Sequence, residues 1–315
     1  MTNMIYIMLS KMACIPLEQL VYVAMKYTIN QFRKEYSNED ICLDKIFEMR
    51  YSKIPCCPQC SQQTTFKRIP GRRAYQCSDK DCQYQLYPTA GTVFEKTRTS
   101  LVDWFYVIYL MTSTRNGVSA KEIERQLGVT YKTAWRMGHQ VRKLMSNGSE
   151  LLTGTVEVDE AYIGGNPKNM HTKKQEKLLG RGIKKQPIVS IVQRGGEVRS
   201  FVVDNVGSGG IYKLITDNVE KGSKLITDGF TSYKWVGMQY EHIAVKHNND
   251  RVTVGEKHTN TVEGFFSHLK RTISGTHIHV SRQHLQAYAN ECSFRYSNRG
   301  LGQMMFKMIL GRCVS

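Results

Sequence analysis

The residues best suited to chemistry are carboxylates that close short apolar stretches. Thr155-Val156-Glu157-Val158-Asp159-Glu160-Ala161-Tyr162-Ile163-Gly164-Gly165 opens with β-branched residues alternating with acids, a strand pattern, and paired glycines break it. A strand ending in carboxylates sets acid groups at a sheet edge, where hard cations such as Mg²⁺ take oxygen ligands. Asp159 is the leading candidate, because downstream segments offer it two partners, Asp228 and Glu263. Read alone, the stretch also fits a strand with solvated acids. The second set is thiols. Cys57-Pro58-Gln59-Cys60 and Cys77-Ser78-Asp79-Lys80-Asp81-Cys82 are separated by a strand-like, basic stretch, Thr64–Tyr75. Two close pairs suit a tetrahedral Zn²⁺ ribbon, structural because all four ligand positions are filled. Cys57, not the adjacent Cys56, is the ligand in register with Pro58. Cys14, Cys42, Cys292 and Cys313 read as buried thiols.

The charge says what such groups would meet. A formal net charge of +17 over 315 residues draws a chain to polyanions, nucleic acid first. No long uncharged apolar run is present, so neither a spanning helix nor a membrane partner is expected. Met4–Leu9 lacks a signal-peptide layout. Nine cysteines, an odd number, argue for a reducing compartment and a metal site over a disulfide framework.

Elements to position these groups follow in order. Residues 1–50 read as a helical lead-in, with helices near Ile15–Met25 and Asn38–Tyr51. Lys67, Arg68, Arg72 and Arg73 make the ribbon basic, favouring DNA contact over a merely solvated face. Leu101–Met111 reads as a core helix. Ser119-Ala120-Lys121-Glu122 has capping-box spacing, Gly128-Val129-Thr130 makes a turn, and a second helix opens at Tyr131. That is a helix-turn-helix layout offering Tyr131, Lys132, Thr133 and Arg136 to a major groove, although any helical hairpin shares it. Beyond residue 154 the order reads as three strands, helix, strand, helix, strand, helix, an α/β arrangement with a mixed sheet. Asn166–Gln186 is a lysine-rich polar loop. His258–Arg271 is an amphipathic helix with Val262, Phe265, Phe266 and Leu269 on its apolar face, and Asn260, Glu263 and Ser267 can share another. Glu157 and Glu160, flanking Asp159, are expected on the opposite strand face, in supporting or solvated positions.

In combination these motifs resemble the ISXO-type insertion-sequence transposases, which are related to Merlin elements. The likeness runs from about residue 40 to 300. It is carried by the ribbon, Tyr87-Pro88-Thr89-Ala90-Gly91-Thr92-Val93-Phe94-Glu95, the helix-turn-helix block, Val156–Gly165, Thr227-Asp228-Gly229-Phe230-Thr231-Ser232-Tyr233, Asn260–Arg271 and Phe294-Arg295-Tyr296-Ser297. The departures are the wide Cys77/Cys82 spacing and Ser61 where a glycine often follows. The resemblance implies a ribonuclease H-like catalytic domain and cut-and-paste DNA transposition by an acidic triad. The first acid falls on Asp159, the second on Asp228 and the third on Glu263, with Lys270 and Arg271 as DNA contacts. Asn260 and His268 stay open as third-position alternatives. Two Mg²⁺ (or Mn²⁺) ions roughly 4 Å apart are expected there, one activating water and then a DNA 3′-hydroxyl, the other stabilising the leaving 3′-oxygen.

The expected layout is a lead-in over 1–50, a zinc ribbon over 51–97, a helix-turn-helix block over 98–150, a ribonuclease H-like mixed sheet with flanking helices over 151–300 and a tail over 301–315. The expected partners are double-stranded DNA, at transposon ends and target, and further copies of the chain. The expected place is the cytoplasm on the nucleoid, or the nucleus in a eukaryotic host. An inactive ribbon and helix-turn-helix regulator derived from a transposase is the competing class. A nuclease or resolvase sharing the fold is the third.

Overall fold

The computed structural model describes residues 27–52, 56–146, 148–164, 185–233, 235–245 and 257–315. The helix expected near Ile15–Met25, Cys14 and most of the lysine-rich loop lie outside them. The chain divides into two compact units.

One unit comprises the described residues up to Thr114, Val118–Leu144 and Gly300–Ser315. Its helices are α1 (Ile29–Glu35), α2 (Glu39–Tyr51), α3 (Leu101–Ser113), α4 (Ala120–Leu127) and α5 (Tyr131–Leu144). A three-stranded antiparallel ribbon, β1 (Phe66–Arg68), β2 (Tyr75–Cys77) and β3 (Gln85–Leu86), sits among them. The hydroxyls of Ser100 and Ser119 accept from the third amides of α3 and α4, satisfying donors that a helix start leaves open. Gly128 closes α4 at φ 66°, a left-handed conformation glycine adopts without penalty. Residues 303–314 are not tail. Met305, Phe306, Ile309 and Leu310 are buried in a helix of this unit, Gln303–Val314, and the Phe306 ring lies 5.6 Å from that of Tyr36. With five large apolar residues in six, that stretch has a face to bury, which its position near the end of the chain obscured.

The other unit, Arg115–Gly117 with Met145–Arg299 in its described part, holds a five-stranded mixed sheet. In chain order its strands are β4 (Thr155–Ile163), β5 (Gln186–Gln193), β6 (Val198–Val202), β7 (Lys224–Asp228) and β8 (Glu241–Val245), arranged as β6-β5-β4-β7-β8. β4 pairs antiparallel with β5 but parallel with β7, and β7 parallel with β8. This is the ribonuclease H-like mixed sheet the resemblance implied. α6 (Ser208–Asn218) covers one face, with Val156, Val158, Leu225 and Tyr233 in its core. α7 (Asn260–Arg271) and α8 (Arg282–Ser297) supply the core of the other face, with Ala161, Ile163, Ile188 and Val192. The helix expected between β7 and β8 is instead two 3₁₀ turns, Thr231–Tyr233 and Val236–Met238. The Asp228 carboxylate accepts from the Phe230 amide at 3.0 Å, and a side chain that bonds the following backbone competes with helix.

Candidate active site

β4 and β7 run side by side in parallel, pairing Thr155 with Lys224 through Val158 with Thr227. The next equivalent positions are Asp159 and Asp228, so both acids share one face where β7 ends, while β4 runs on to Ile163 in its pairing with β5. Their carboxylates, with that of Glu160, place ligand atoms within 4.8 Å of one another. Glu160 projects from the other face, where its oxygen accepts from the Tyr233 hydroxyl at 2.7 Å. Glu263, in the first turn of α7, is exposed and accepts from Thr259 Oγ1 at 2.8 Å.

Burial raises the Asp159 carboxyl to about 6, and the negative charges of Glu160, Asp228 and Glu263 add to the rise against the opposing Glu160 amide. Burial also raises Glu160, with Asp228 adding to it and the Tyr233 hydroxyl opposing it. Burial and the adjoining Glu160 charge raise Tyr233 well above the ordinary phenol range, so it stays a donor. Convergent half-buried acids that resist ionisation are the donor set a divalent cation relieves. Asp159, Asp228 and Glu160 fit an ion by distance; Glu263 is close enough for its charge to act on Asp159. His268 is poorly suited to the third position. Burial and the charges of Arg295, Arg271 and Arg115 lower its pKa, an environment that repels a cation. Asn260 is exposed at the start of α7, and Lys270 and Arg271 are exposed at its end.

One acid was misplaced by the sequence reading. Glu157 is two residues from Asp159, so the period of a strand sets it on the same face, not the opposite one. It is fully buried and pairs with Arg194 at 2.6 Å. Glu160 is on the opposite face as expected, yet its carboxylate comes within 4.8 Å of those of Asp159 and Asp228. Tyr233 was part of a quoted motif but had no role; the aromatic five residues beyond Asp228 was the available signal.

In the ribbon, Cys57, Cys60, Cys77 and Cys82 bring their sulfurs within 4.8 Å of one another. Burial raises the Cys57 thiol, but the amides of Cys60 and Gln59 outweigh it and bring it to about 7. At Cys82 the Tyr84 amide is outweighed by burial and the neighbouring thiols, which push it to about 12. Four crowded thiols met by backbone amides fit Zn²⁺. The wide second knuckle closes because Asp79 accepts from the amides of Asp81 and Cys82, both at 3.0 Å. Ser61 and Gln83, each following a ligand, take positive φ (56° and 48°), the conformation a glycine would hold freely. Two arginines expected at DNA are engaged elsewhere: Arg68 pairs with Asp40 at 3.2 Å and Arg73 with Glu39 at 2.6 Å. Lys67 and Arg72 are exposed. Cys42, Cys292 and Cys313 are buried.

On α5, Lys132 and Arg136 are exposed, Tyr131 takes the Lys121 ammonium over its ring at 5.1 Å, and the Thr133 hydroxyl meets that of Thr130 at 3.0 Å. No helix among the described residues is long and apolar enough to cross a membrane.

Comparison with known proteins bears on both sites. Residues 151–297 match the ISXO2-like transposase domain, and residues 37–85 match the transposase zinc-ribbon domain. The chain is also 25% identical over 275 residues to an uncharacterized protein in transposable element ISH50 of Halobacterium salinarum, covering 83% of this chain and 92% of the relative.

Proposed function

We propose, taking residues 151–297 as an ISXO2-like transposase domain, that this chain cuts DNA at the ends of an insertion sequence and joins them to a target. The observation that carries the reading is the pair Asp159 and Asp228 at equivalent positions of adjacent parallel strands, on a face flanked by the Glu263 helix. Asp159 and Asp228 hold Mg²⁺ or Mn²⁺, Glu263 completes the set from α7, and Glu160 lies within reach of the same ions. Bound there, such ions supply an activated oxygen nucleophile and neutralise charge at the phosphorus under attack. The protein's own part is to hold the carboxylates and exclude alternatives. Strand register fixes the separation of Asp159 from Asp228, and Tyr233 keeps one oxygen of Glu160 occupied. Lys270 and Arg271, exposed toward the end of α7, take backbone phosphates. Lys132, Thr133 and Arg136 of the helix-turn-helix meet a duplex groove, and Zn²⁺ holds the ribbon in shape. Cutting two ends calls for at least two copies of the chain.

The test is divalent-metal-dependent cleavage and 3′-end joining on duplexes carrying the element's own ends. Wild type is compared with Asp159→Ala, Asp228→Ala, Glu263→Ala, Glu160→Ala and Asn260→Ala. Loss of cutting with binding retained is expected for Asp159, Asp228 and Glu263. If only the Glu160 or Asn260 variant accompanies the two aspartates in losing activity, the third ligand moves. Tight, salt-sensitive binding without cutting by wild type would favour the inactive regulator, and cutting without joining would favour a nuclease.

A further inference from the structure

α7 begins without a cap of its own. Thr259, at its N-cap, directs its hydroxyl to Glu263 instead of to the helix amides. The first four N–H groups of a helix have no partner within it. Here the first intrahelical bond runs from the Glu263 amide to the Thr259 carbonyl at 3.1 Å, and of the amides before it that of Asn260 reaches His258 Nδ1 at 3.3 Å. The two between them belong to another element. Thr261 N–H and Val262 N–H both donate to Glu157 Oε2 at 2.9 Å, and Thr261 Oγ1 donates to Glu157 Oε1 at 2.9 Å.

Glu157 is a strand residue with 0% side-chain exposure. Its remaining acceptor capacity goes to Arg194 Nε at 2.6 Å. Arg194, on the turn after β5, donates in addition to the His258 carbonyl at 2.7 Å and to His258 Nδ1 at 3.1 Å. That Nδ1 also accepts from the Asn260 amide, so its 3.6 Å approach to Glu157 is between two acceptors and not an ion pair. The carboxylate is thus fully satisfied, with a cation on one side and a helix N-terminus on the other.

We propose that Glu157 is a positioning residue, seating the helix that carries Glu263 against the strand that carries Asp159. Asp159 follows Glu157 by two residues on the same face, and Glu263 follows Val262 by one. A single buried carboxylate therefore sets the span between two metal ligands. The apolar face of α7, with Val262, Phe265, Phe266 and Leu269, docks the helix on the sheet. Apolar contact is non-directional, so it leaves the helix's advance and rotation to directional bonds, and those converge on Glu157. Residues that orient metal ligands typically change metal affinity 10- to 100-fold when altered. The inference rests on Glu263 being a ligand.

The experiment uses the full chain with zinc retained. Mn²⁺ affinity is titrated, amide exchange at Thr261 and Val262 is followed, and both are measured for wild type, Glu157→Gln, Glu263→Ala and the double variant. Glutamine keeps the volume and one acceptor but meets Arg194 with an amide. Glu157→Gln is expected to weaken Mn²⁺ about tenfold and to speed exchange at those two amides, leaving β5 amides and DNA binding unchanged. In the Glu263→Ala background it is expected to weaken Mn²⁺ no further, because residues acting through one another are non-additive. Unchanged exchange and affinity in Glu157→Gln, or effects of the two variants that multiply, would overturn the proposal. Wild-type Mn²⁺ affinity in Glu263→Ala would instead overturn the ligand assignment, and the exchange readout would still report whether Glu157 seats α7. Should Glu157→Gln fail to fold, Thr261→Val removes one of the three bonds and takes the same readouts, with faster exchange expected at Val262 and no change there refuting the anchor.

Discussion

Replacing Asp159 by asparagine separates what its carboxylate does for the fold from what it does for a cation. Its pKa is raised from the ordinary 3.8 to about 6, chiefly by burial. An acid with a raised folded pKa binds protons more tightly in the native state than in the unfolded chain. The metal-free protein therefore loses stability as pH rises between those two values, and the full penalty stands at pH 7. At 1.36 kcal/mol per unit the shift corresponds to roughly 3 kcal/mol. The group is only half-buried, and screening brings the figure to about 1–2 kcal/mol. Asparagine is neutral at every pH and escapes the penalty.

In Mg²⁺-free buffer at pH 7.5 the Asp159→Asn protein should therefore melt roughly 2–8 °C above wild type, given about 2–4 °C per kcal/mol for a unit of this size. As pH falls through 6 the gap should narrow, closing below about 3.8. Added Mg²⁺ should reverse the order, because binding to the native state alone stabilises wild type by mass action. Calorimetry without a chelator, so that the ribbon keeps its zinc, reads all three conditions. A variant less stable than wild type without Mg²⁺ at pH 7.5, or a gap that does not change with pH, would refute the reasoning. Either result would mean that Asp159 is held by protein partners and not poised for a cation.

Three further outcomes follow from the same geometry. Tyr233→Phe removes the hydroxyl that opposes the rise in the Glu160 pKa; Mn²⁺ binding should then need a higher pH for half-saturation, and an unchanged pH profile would place Glu160 outside the ion site. Cys82→Ser should drop the bound zinc from about one per chain toward none and abolish the ribbon's protection from proteolysis, with zinc measured by a colorimetric chelator; full zinc retention would move the fourth ligand. Lys132→Ala and Arg136→Ala should each weaken DNA binding and lower the slope of log affinity against log salt by about 0.9; slopes equal to wild type would remove α5 from the interface.

The sequence made legible what local chemistry determines. Four cysteines in two close pairs specify a ribbon because tetrahedral coordination demands it, and the mixed sheet follows from strand runs and a crossover helix. Other features depended on partners far along the chain. Arg68 and Arg73 look like DNA contacts when only their charge is counted, but Asp40 and Glu39 on α2 take them up. Nothing in the residues between β7 and β8 announces that an Asp228 side chain would turn the backbone into 3₁₀ geometry.

The Val-Glu-Val-Asp-Glu stretch shows where the limit lies. Its alternation assigns faces by a period of two, and that rule, correctly applied, pairs Glu157 with Asp159 and sets Glu160 apart. The rule does not distinguish an acid that will be buried at 0% exposure from one left half-buried in a cluster of acids. That distinction depends on the helix packed above the strand. Glu157 lies beneath the open N-terminus of α7 and is consumed by it, whereas Asp159, one strand period further, stands just past the β4–β7 register and is left for a cation. Three acids within four residues thus diverge in role because each stands at a different distance from one helix start. A shift of α7 by a single turn, about 5.4 Å, would exchange which acid is capped and which is open.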